Sequence, residues 1–129
     1  YFNLSFSIIW ILFSIFLFFI KINPSKGPLI LLGDKVFHFI IFFVMAYLLL
    51  RTLRYSKINY NFKSKITLLI SILIFSFLIE LVQNFVSYRS FELYDIFFNF
   101  LGIFVCYFVK IKWISIITYS FLKKYIIWN

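Results

Sequence analysis

The sequence predicts an all-α integral membrane protein, a bundle of four transmembrane helices with both termini in the cytoplasm. Three observations lead to this prediction: the apolar composition, four long apolar runs, and an uneven distribution of Lys and Arg. Of the 129 residues, 64% are hydrophobic and only 13% are charged, and the mean hydropathy is +1.04. A soluble domain carries about 25% charged residues, and a small one leaves too much surface exposed to hide so many apolar side chains. We therefore expect one membrane domain over residues 1–129.

The first predicted span covers about residues 4–20, LSFSIIWILFSIFLFFI, and ends before Lys21 and Pro24. A helix needs about 20 apolar residues to cross the hydrocarbon core of a bilayer. No basic residue precedes this run and no small-x-small cleavage pattern follows it, so we interpret it as a retained helix rather than a secretory signal.

The second predicted span covers about residues 36–53 and follows Gly33 and Asp34, where Asp34 is a candidate N-cap. Its apolar part is short. We expect Arg51 and Arg54 at its end to extend their charged groups toward the membrane surface.

The third and fourth predicted spans cover about residues 66–86 and 91–109, with Ser64 and Ser90 as candidate N-caps. Glu92 would lie in the first turn of the fourth helix, where the helix dipole favours an acidic residue. All four spans should be helical, because lipid cannot satisfy the hydrogen bonds of an open backbone.

The segment 113–129, WISIITYSFLKKYIIWN, is too short to span a membrane, because Lys123 and Lys124 interrupt its apolar run. Its Trp, Tyr and Lys content is typical of a helix that lies at the cytoplasmic interface. A frayed tail is the alternative.

The distribution of charge predicts the orientation, because Lys and Arg concentrate in cytoplasmic loops. Nine of the 13 basic residues fall on the side that holds both termini, and four fall on the other side. All four acidic residues lie at or toward that other, outer side. The net charge of +9 is therefore a signal of topology and of contact with lipid headgroups, and we expect membrane lipids rather than nucleic acid as partners.

Polar residues recur at helical spacing near the outer ends of three spans. Residues three or four apart share a helix face, so each set forms a stripe. These residues are Asp34, Lys35 and His38 on the second helix, Glu80 and Gln83 on the third, and Asp95 and Asn99 on the fourth, whose stripe continues to Gly102 and Cys106. The last two are small, and we expect them to serve helix packing.

Structural roles compete with functional ones for these residues. A carboxylate as deep as Glu80 must be neutral or paired, and Lys35 and Arg89 are candidate partners. Gln83 and Asn99 can serve as interhelical hydrogen bonds without any ligand.

The ordered set of motifs resembles the VanZ-like membrane proteins: Asp34-Lys35-x-x-His38, then Glu80-x-x-Gln83, then Arg89-(x)5-Asp95-(x)3-Asn99-x-x-Gly102. The resemblance runs from the loop at Pro24 to the fourth span. Two departures are Ser87-Tyr88, where such chains often have proline and glycine, and Cys106, where they often have a second glycine. The resemblance implies a multi-pass protein of the bacterial cytoplasmic membrane, in a family named after a protein linked to resistance to the glycopeptide teicoplanin.

The first functional hypothesis is a non-enzymatic protein with a polar pocket in the outer leaflet. Lys35 and Arg89 would hold the anionic headgroup of a lipid, a cell-envelope precursor or a glycopeptide-related ligand, since an arginine fork pairs well with phosphate or carboxylate. The remaining polar residues would orient these cations and bind polar ligand atoms. The predicted ligand-binding set is Asp34, Lys35, His38, Glu80, Gln83, Arg89, Asp95 and Asn99.

The alternative is a membrane-embedded hydrolase or transferase that acts on a lipid-linked envelope substrate. His38 would be the general base, oriented by Asp34 or Asp95, with Glu80 as a second acid/base. The sequence contains no nucleophile motif. A proton path and a packing scaffold are weaker hypotheses, and no cofactor or metal is predicted, because no ligand spacing requires one.

Overall fold

The computed structural model describes residues 2–19, 28–56, 60–86 and 91–109. These residues form four α-helices and contain no strand: α1 (Phe2–Phe19), α2 (Pro28–Tyr55), α3 (Phe62–Gln83) and α4 (Leu93–Phe108). The all-helical prediction is therefore confirmed. The predicted interfacial segment, 113–129, lies outside the described residues.

Two of the four helices are long and apolar enough to cross a membrane, Leu32–Tyr55 within α2 and Phe62–Gln83 in α3. The apolar stretches Asn3–Phe19 and Leu93–Phe108 are shorter. At a rise of about 1.5 Å per residue, the 16 residues of α4 extend about 24 Å, against a hydrocarbon core of about 30 Å. Membrane-helix character is thus supported, while four complete spans and cytoplasmic termini remain predictions.

Large apolar side chains are exposed on the outward faces of all four helices, including Ile9, Ile40, Ile74 and Phe104. Scattered apolar residues are normal on a soluble surface, but a continuous apolar exterior is not. The exterior therefore suits contact with lipid.

The second helix begins much earlier than the sequence suggested. It starts at Pro28 rather than at residue 36, which agrees with the preference for proline in the first turn of a helix. Gly33 and Asp34 lie inside the helix as a result, and the interpretation of Asp34 as an N-cap is wrong. The extra turns place Asp34, Lys35 and His38 on one rigid element.

The predicted caps of α3 and α4 also need correction. Asn61 caps α3, because its side-chain oxygen accepts hydrogen bonds from the backbone nitrogen of Ser64 at 2.8 Å and from its hydroxyl at 2.9 Å. Ser64 is therefore not the cap but the residue that is capped. The N-cap position of α4 is Glu92, two residues after the predicted Ser90, which lies outside the described residues.

The helices α2 and α4 run in the same direction, and their backbones are in close contact at Gly102. A Cβ atom on Gly102 would overlap the carbonyl oxygen of Phe39 and lie 3.0 Å from the backbone nitrogen of Phe43. Only glycine permits this backbone contact. Below it, a core of aliphatic and aromatic side chains, together with the free thiol of Cys106, fills the bundle.

Candidate functional site

The structure brings seven polar residues together where α2, α3 and α4 meet. We call them the polar cluster: Asp34, Lys35 and His38 of α2, Glu80 of α3, Glu92 at the start of α4, and Asp95 and Asn99 of α4. The cluster contains every acidic residue of the chain. The sequence predicted six of these seven residues as ligand-binding and interpreted the seventh, Glu92, as structural.

Lys35 connects α2 to the first turn of α4. Its ammonium group donates hydrogen bonds to the carboxylates of Glu92 and Asp95, and it lies 4.0 Å from Asp34 Oδ2. The Lys35 side chain is 12% exposed, whereas those of Asp34 and Glu92 are 29% and 38% exposed. Asp34 and Glu92 thus form the rim of the cluster, and Lys35 lies just beneath it.

His38 lies in the interior of the cluster with only 1% of its surface exposed. Its Nδ1 donates to the side-chain oxygen of Asn99 at 3.0 Å, and its Nε2 lies 3.6 Å from Asp95 Oδ2. The ring of Phe18 covers the imidazole, with 5.0 Å between the ring centroids. The sequence did not single out Phe18, because nothing distinguishes it within an apolar run of similar residues.

Glu80 is a buried carboxylate whose observed partner is a helix terminus. Its Oε1 accepts a hydrogen bond from the backbone N–H of Glu92 at 3.0 Å. The first N–H groups of a helix have no partner within the helix, and the helix dipole favours a negative charge there. The Lys35 ammonium, one of the two partners considered from sequence, contacts Glu92 and Asp95 instead, and Arg89 lies outside the described residues.

Gln83 lies beside the cluster and connects α3 to α1. Its side-chain nitrogen donates to the carbonyl oxygen of Phe18 at 2.9 Å, and Gln83 is buried. Phe18 is in the last turn of α1, where carbonyl groups have no partner within the helix. This hydrogen bond therefore satisfies a helix terminus.

Three buried atoms of the polar cluster have no hydrogen-bond partner among the described residues: His38 Nε2, Glu80 Oε2 and Asn99 Nδ2. Tyr47 Oη and Arg51 Nε share this property, but they lie further along α2 in residues that are partly exposed. Buried polar atoms are nearly always paired in proteins. Three such atoms in one cluster are what a bound polar ligand would satisfy.

The cluster has an excess of negative charge. Four carboxylates face one ammonium, so the formal charge of the described cluster is −3 with His38 neutral. Potential ligand atoms of Asp34, His38 and Asp95 all lie within 4.8 Å of one another, which makes these three residues a candidate metal-binding group.

Gly102 and Cys106, predicted to serve helix packing, are both buried on the face of α4 below the cluster. They lie three and seven residues beyond Asn99 and extend its face toward the apolar core. The face of α4 that carries the polar residues is therefore the face that packs inside the bundle.

The comparisons with known proteins identify the family. No curated protein and no solved structure matches the chain significantly. The model of the VanZ/LLP1 family matches residues 2–117, well over half of the chain. This match covers α1 to α4 and every residue of the polar cluster, and the protein is a member of the VanZ/LLP1 family.

Proposed function

We propose that this protein is a four-span protein of the bacterial cytoplasmic membrane that binds the anionic headgroup of an envelope lipid or lipid-linked precursor in the polar cluster. The observation that carries the proposal is the group of three buried atoms of His38, Glu80 and Asn99 that have no hydrogen-bond partner among the described residues. A headgroup with both hydroxyl and phosphate or carboxylate oxygens offers donors and acceptors to all three. The link between VanZ-like proteins and teicoplanin resistance supports a ligand from the cell envelope.

The position of the cluster supports a ligand that enters from the membrane surface. Asp34 and Glu92 are partly exposed at the rim, whereas His38, Glu80 and Asn99 are almost completely buried. Polar groups inside membrane helices face one another or a polar cavity, because lipid contact is costly for them. A headgroup held at the rim could therefore keep its acyl chains in the surrounding lipid.

Two cations would hold the anionic ligand at the rim against the excess of carboxylates in the cluster. Lys35 lies just beneath the rim with its ammonium fixed by Glu92 and Asp95. Arg89 precedes the start of α4 by four residues, and its guanidinium would add paired hydrogen bonds to phosphate or carboxylate.

The test is native mass spectrometry of the full chain purified in a mild detergent, followed by lipid extraction. We expect a retained phosphate- or carboxylate-bearing lipid, and we expect Lys35→Gln and Arg89→Gln to lose it when retained lipid is counted per folded chain. Arg54→Gln is the matched control, because Arg54 is an exposed basic residue at the other end of α2. Equal lipid retention by all three variants would contradict the proposal.

A second candidate function is hydrolysis or group transfer on a lipid-linked substrate. The observation that favours it is His38 held between Asn99 and Asp95, an arrangement in which a base is oriented by neighbouring groups. In this case the purified protein should convert lipids of an envelope extract over time, and His38→Gln should abolish conversion. Unchanged lipids after prolonged incubation would favour binding alone.

A further inference from the structure

We propose that Asp34, His38 and Asp95 bind one divalent cation of the Zn²⁺ or Mn²⁺ class, and that this ion attracts an anionic headgroup to an otherwise acidic cluster. The role in headgroup binding rests on the proposed function, whereas the metal site itself does not. The three residues come from two helices, since α2 supplies Asp34 and His38 and α4 supplies Asp95.

The spacing of the three side chains suits a single ion. One potential ligand atom from each residue lies within 4.8 Å of the other two. Ligand atoms bound to Zn²⁺ at about 2.0–2.2 Å are themselves roughly 3–4 Å apart. Small side-chain rotations are therefore sufficient to close the site around an ion.

His38 already has the orientation of a metal ligand. Because Nδ1 donates to the Asn99 side-chain oxygen at 3.0 Å, the lone pair of the neutral ring is on Nε2. That atom is buried, has no hydrogen-bond partner among the described residues, and faces Asp95 Oδ2 at 3.6 Å. Metal-binding histidines are typically held in this way, with the second ring nitrogen donating to an oxygen.

Asp95 divides its two oxygens between different neighbours. Oδ1 accepts from the Lys35 ammonium, whereas Oδ2 is on the side of His38 Nε2. Lys35 therefore orients the carboxylate without occupying the space between Oδ2 and the imidazole. Lys35 and Asn99 are positioning residues in this site.

The charge of the cluster also favours a cation. Four carboxylates and one ammonium leave a formal charge of −3, and a divalent ion would reduce it to −1. An imidazole with two carboxylates suits Zn²⁺ or Mn²⁺ better than Mg²⁺ or Ca²⁺, which prefer oxygen ligands alone. With three protein ligands, the ion keeps an open position for a phosphate or carboxylate oxygen.

The alternative to a bound metal ion is a proton on His38 Nε2, next to Asp95. An imidazolium would pair with Asp95 and would need no metal, and Asp34 would then be placed by its ion pair with Lys35. The two explanations differ in whether the protein binds metal.

The experiment uses the full chain in detergent, stripped with EDTA and titrated with Zn²⁺ or Mn²⁺ alone. Calorimetry gives the affinity, and elemental analysis after gel filtration gives the stoichiometry. We expect one ion per chain. Asp34→Asn, His38→Gln and Asp95→Asn should each weaken binding by at least about 100-fold, and Asn99→Ala should weaken it by about 10- to 100-fold, as for other partners of metal ligands.

Glu92→Gln is the matched control, because it removes a carboxylate from the same cluster without removing a proposed ligand. It should weaken binding by no more than about fivefold, the effect of one partly exposed charge. No binding by the wild-type chain, or an equal loss in Glu92→Gln and His38→Gln, would overturn the metal site. If one ligand variant fails to fold, the other two still test the proposal.

A parallel lipid measurement separates this inference from the proposed function. Retention of lipid after EDTA treatment would overturn the role of the metal in headgroup binding and leave the proposed function intact. One bound ion per chain without any retained lipid would support the metal site and contradict the proposed function.

Discussion

The contact between α2 and α4 and the contact between α1 and α2 both bury polar side chains, but they use different chemistry. Between α1 and α2 the groups are neutral: Ser7 Oγ lies 2.8 Å from Thr52 Oγ1, Thr52 donates to the carbonyl oxygen of Asn3 at 3.0 Å, and Trp10 Nε1 donates to that of Ile41 at 3.2 Å. Between α2 and α4 the groups are an ammonium, carboxylates, an imidazole and an amide.

The two contacts differ in whether their buried polar groups have hydrogen-bond partners within the described part of the protein. Hydroxyl and indole groups between α1 and α2 have partners within the protein, as expected for hydrogen bonds that only join helices. The cluster between α2 and α4 includes buried atoms of His38 and Asn99 without a partner among the described residues. A neutral contact of the first kind would have sufficed for packing, and this contrast supports the proposal that the charged contact binds a ligand.

Removal of the Lys35 ammonium should cause the largest loss of unfolding free energy. In Lys35→Met, the carboxylates of Glu92 and Asp95 face each other without a cation, and loss of one partner from a buried ion pair costs about 3–5 kcal/mol of unfolding free energy. The measurement is unfolding in detergent with EDTA present. Lys35→Arg should retain most of the stability, and adding Asp95→Asn to Lys35→Met should restore part of it. A loss no greater than that of an exposed substitution would show that the cluster contributes little to stability.

An intermediate effect is expected at the two described glycines, with opposite signs. Gly102→Ala forces a Cβ atom against the backbone of α2 and should cost about 1–3 kcal/mol. Gly33→Ala places its Cβ in open space within a helix and should stabilise by about 0.5–1 kcal/mol. Thermal unfolding of both variants in the same detergent tests the pair. A stable Gly102→Ala variant would mean that α2 and α4 are less close than described.

The smallest effect is expected between α1 and α2. Ser7→Ala removes the hydroxyl next to Thr52, but Thr52 keeps its hydrogen bond to Asn3. The expected loss of unfolding free energy is about 0.6 kcal/mol, which is typical for one hydrogen bond between membrane helices. A loss as large as that of Lys35→Met would remove the distinction between the two contacts.

The convergence of the polar residues could be predicted from the sequence because it depends on helical spacing. Asp34 and His38 share a face at a separation of four, as do Asp95 and Asn99. Because α2 and α4 both run antiparallel to α3, their polar faces meet at the same end of the bundle. The resemblance to the VanZ-like proteins rests on the same residues, and the match of the family model to residues 2–117 confirms it.

The individual partners could not be predicted, because they depend on how the helix ends are placed. Glu80 accepts from the backbone of Glu92, and Gln83 donates to the backbone of Phe18. Backbone groups carry no sequence signal, so pairing by side-chain charge suggested Lys35 or Arg89 as the partner of Glu80. The sequence also does not predict the early start of α2. Gly33 and Asp34 have the composition of a helix boundary, whereas the helix begins at Pro28.

The contact at Gly102 also sets the axial register of α2 and α4. With the glycine Cα against the backbone of Phe39, a slide by one residue, about 1.5 Å, would move the glycine away from this contact and bring the side chains on the same face of α4, Asn99 or Cys106, closer to it. His38 precedes Phe39 by one residue, and Asn99 and Asp95 precede Gly102 by three and seven. The same slide would therefore separate His38 from Asn99 and Lys35 from Asp95 together. The alignment of Lys35 and His38 with Asp95 and Asn99 therefore depends on Gly102, a residue without a side chain.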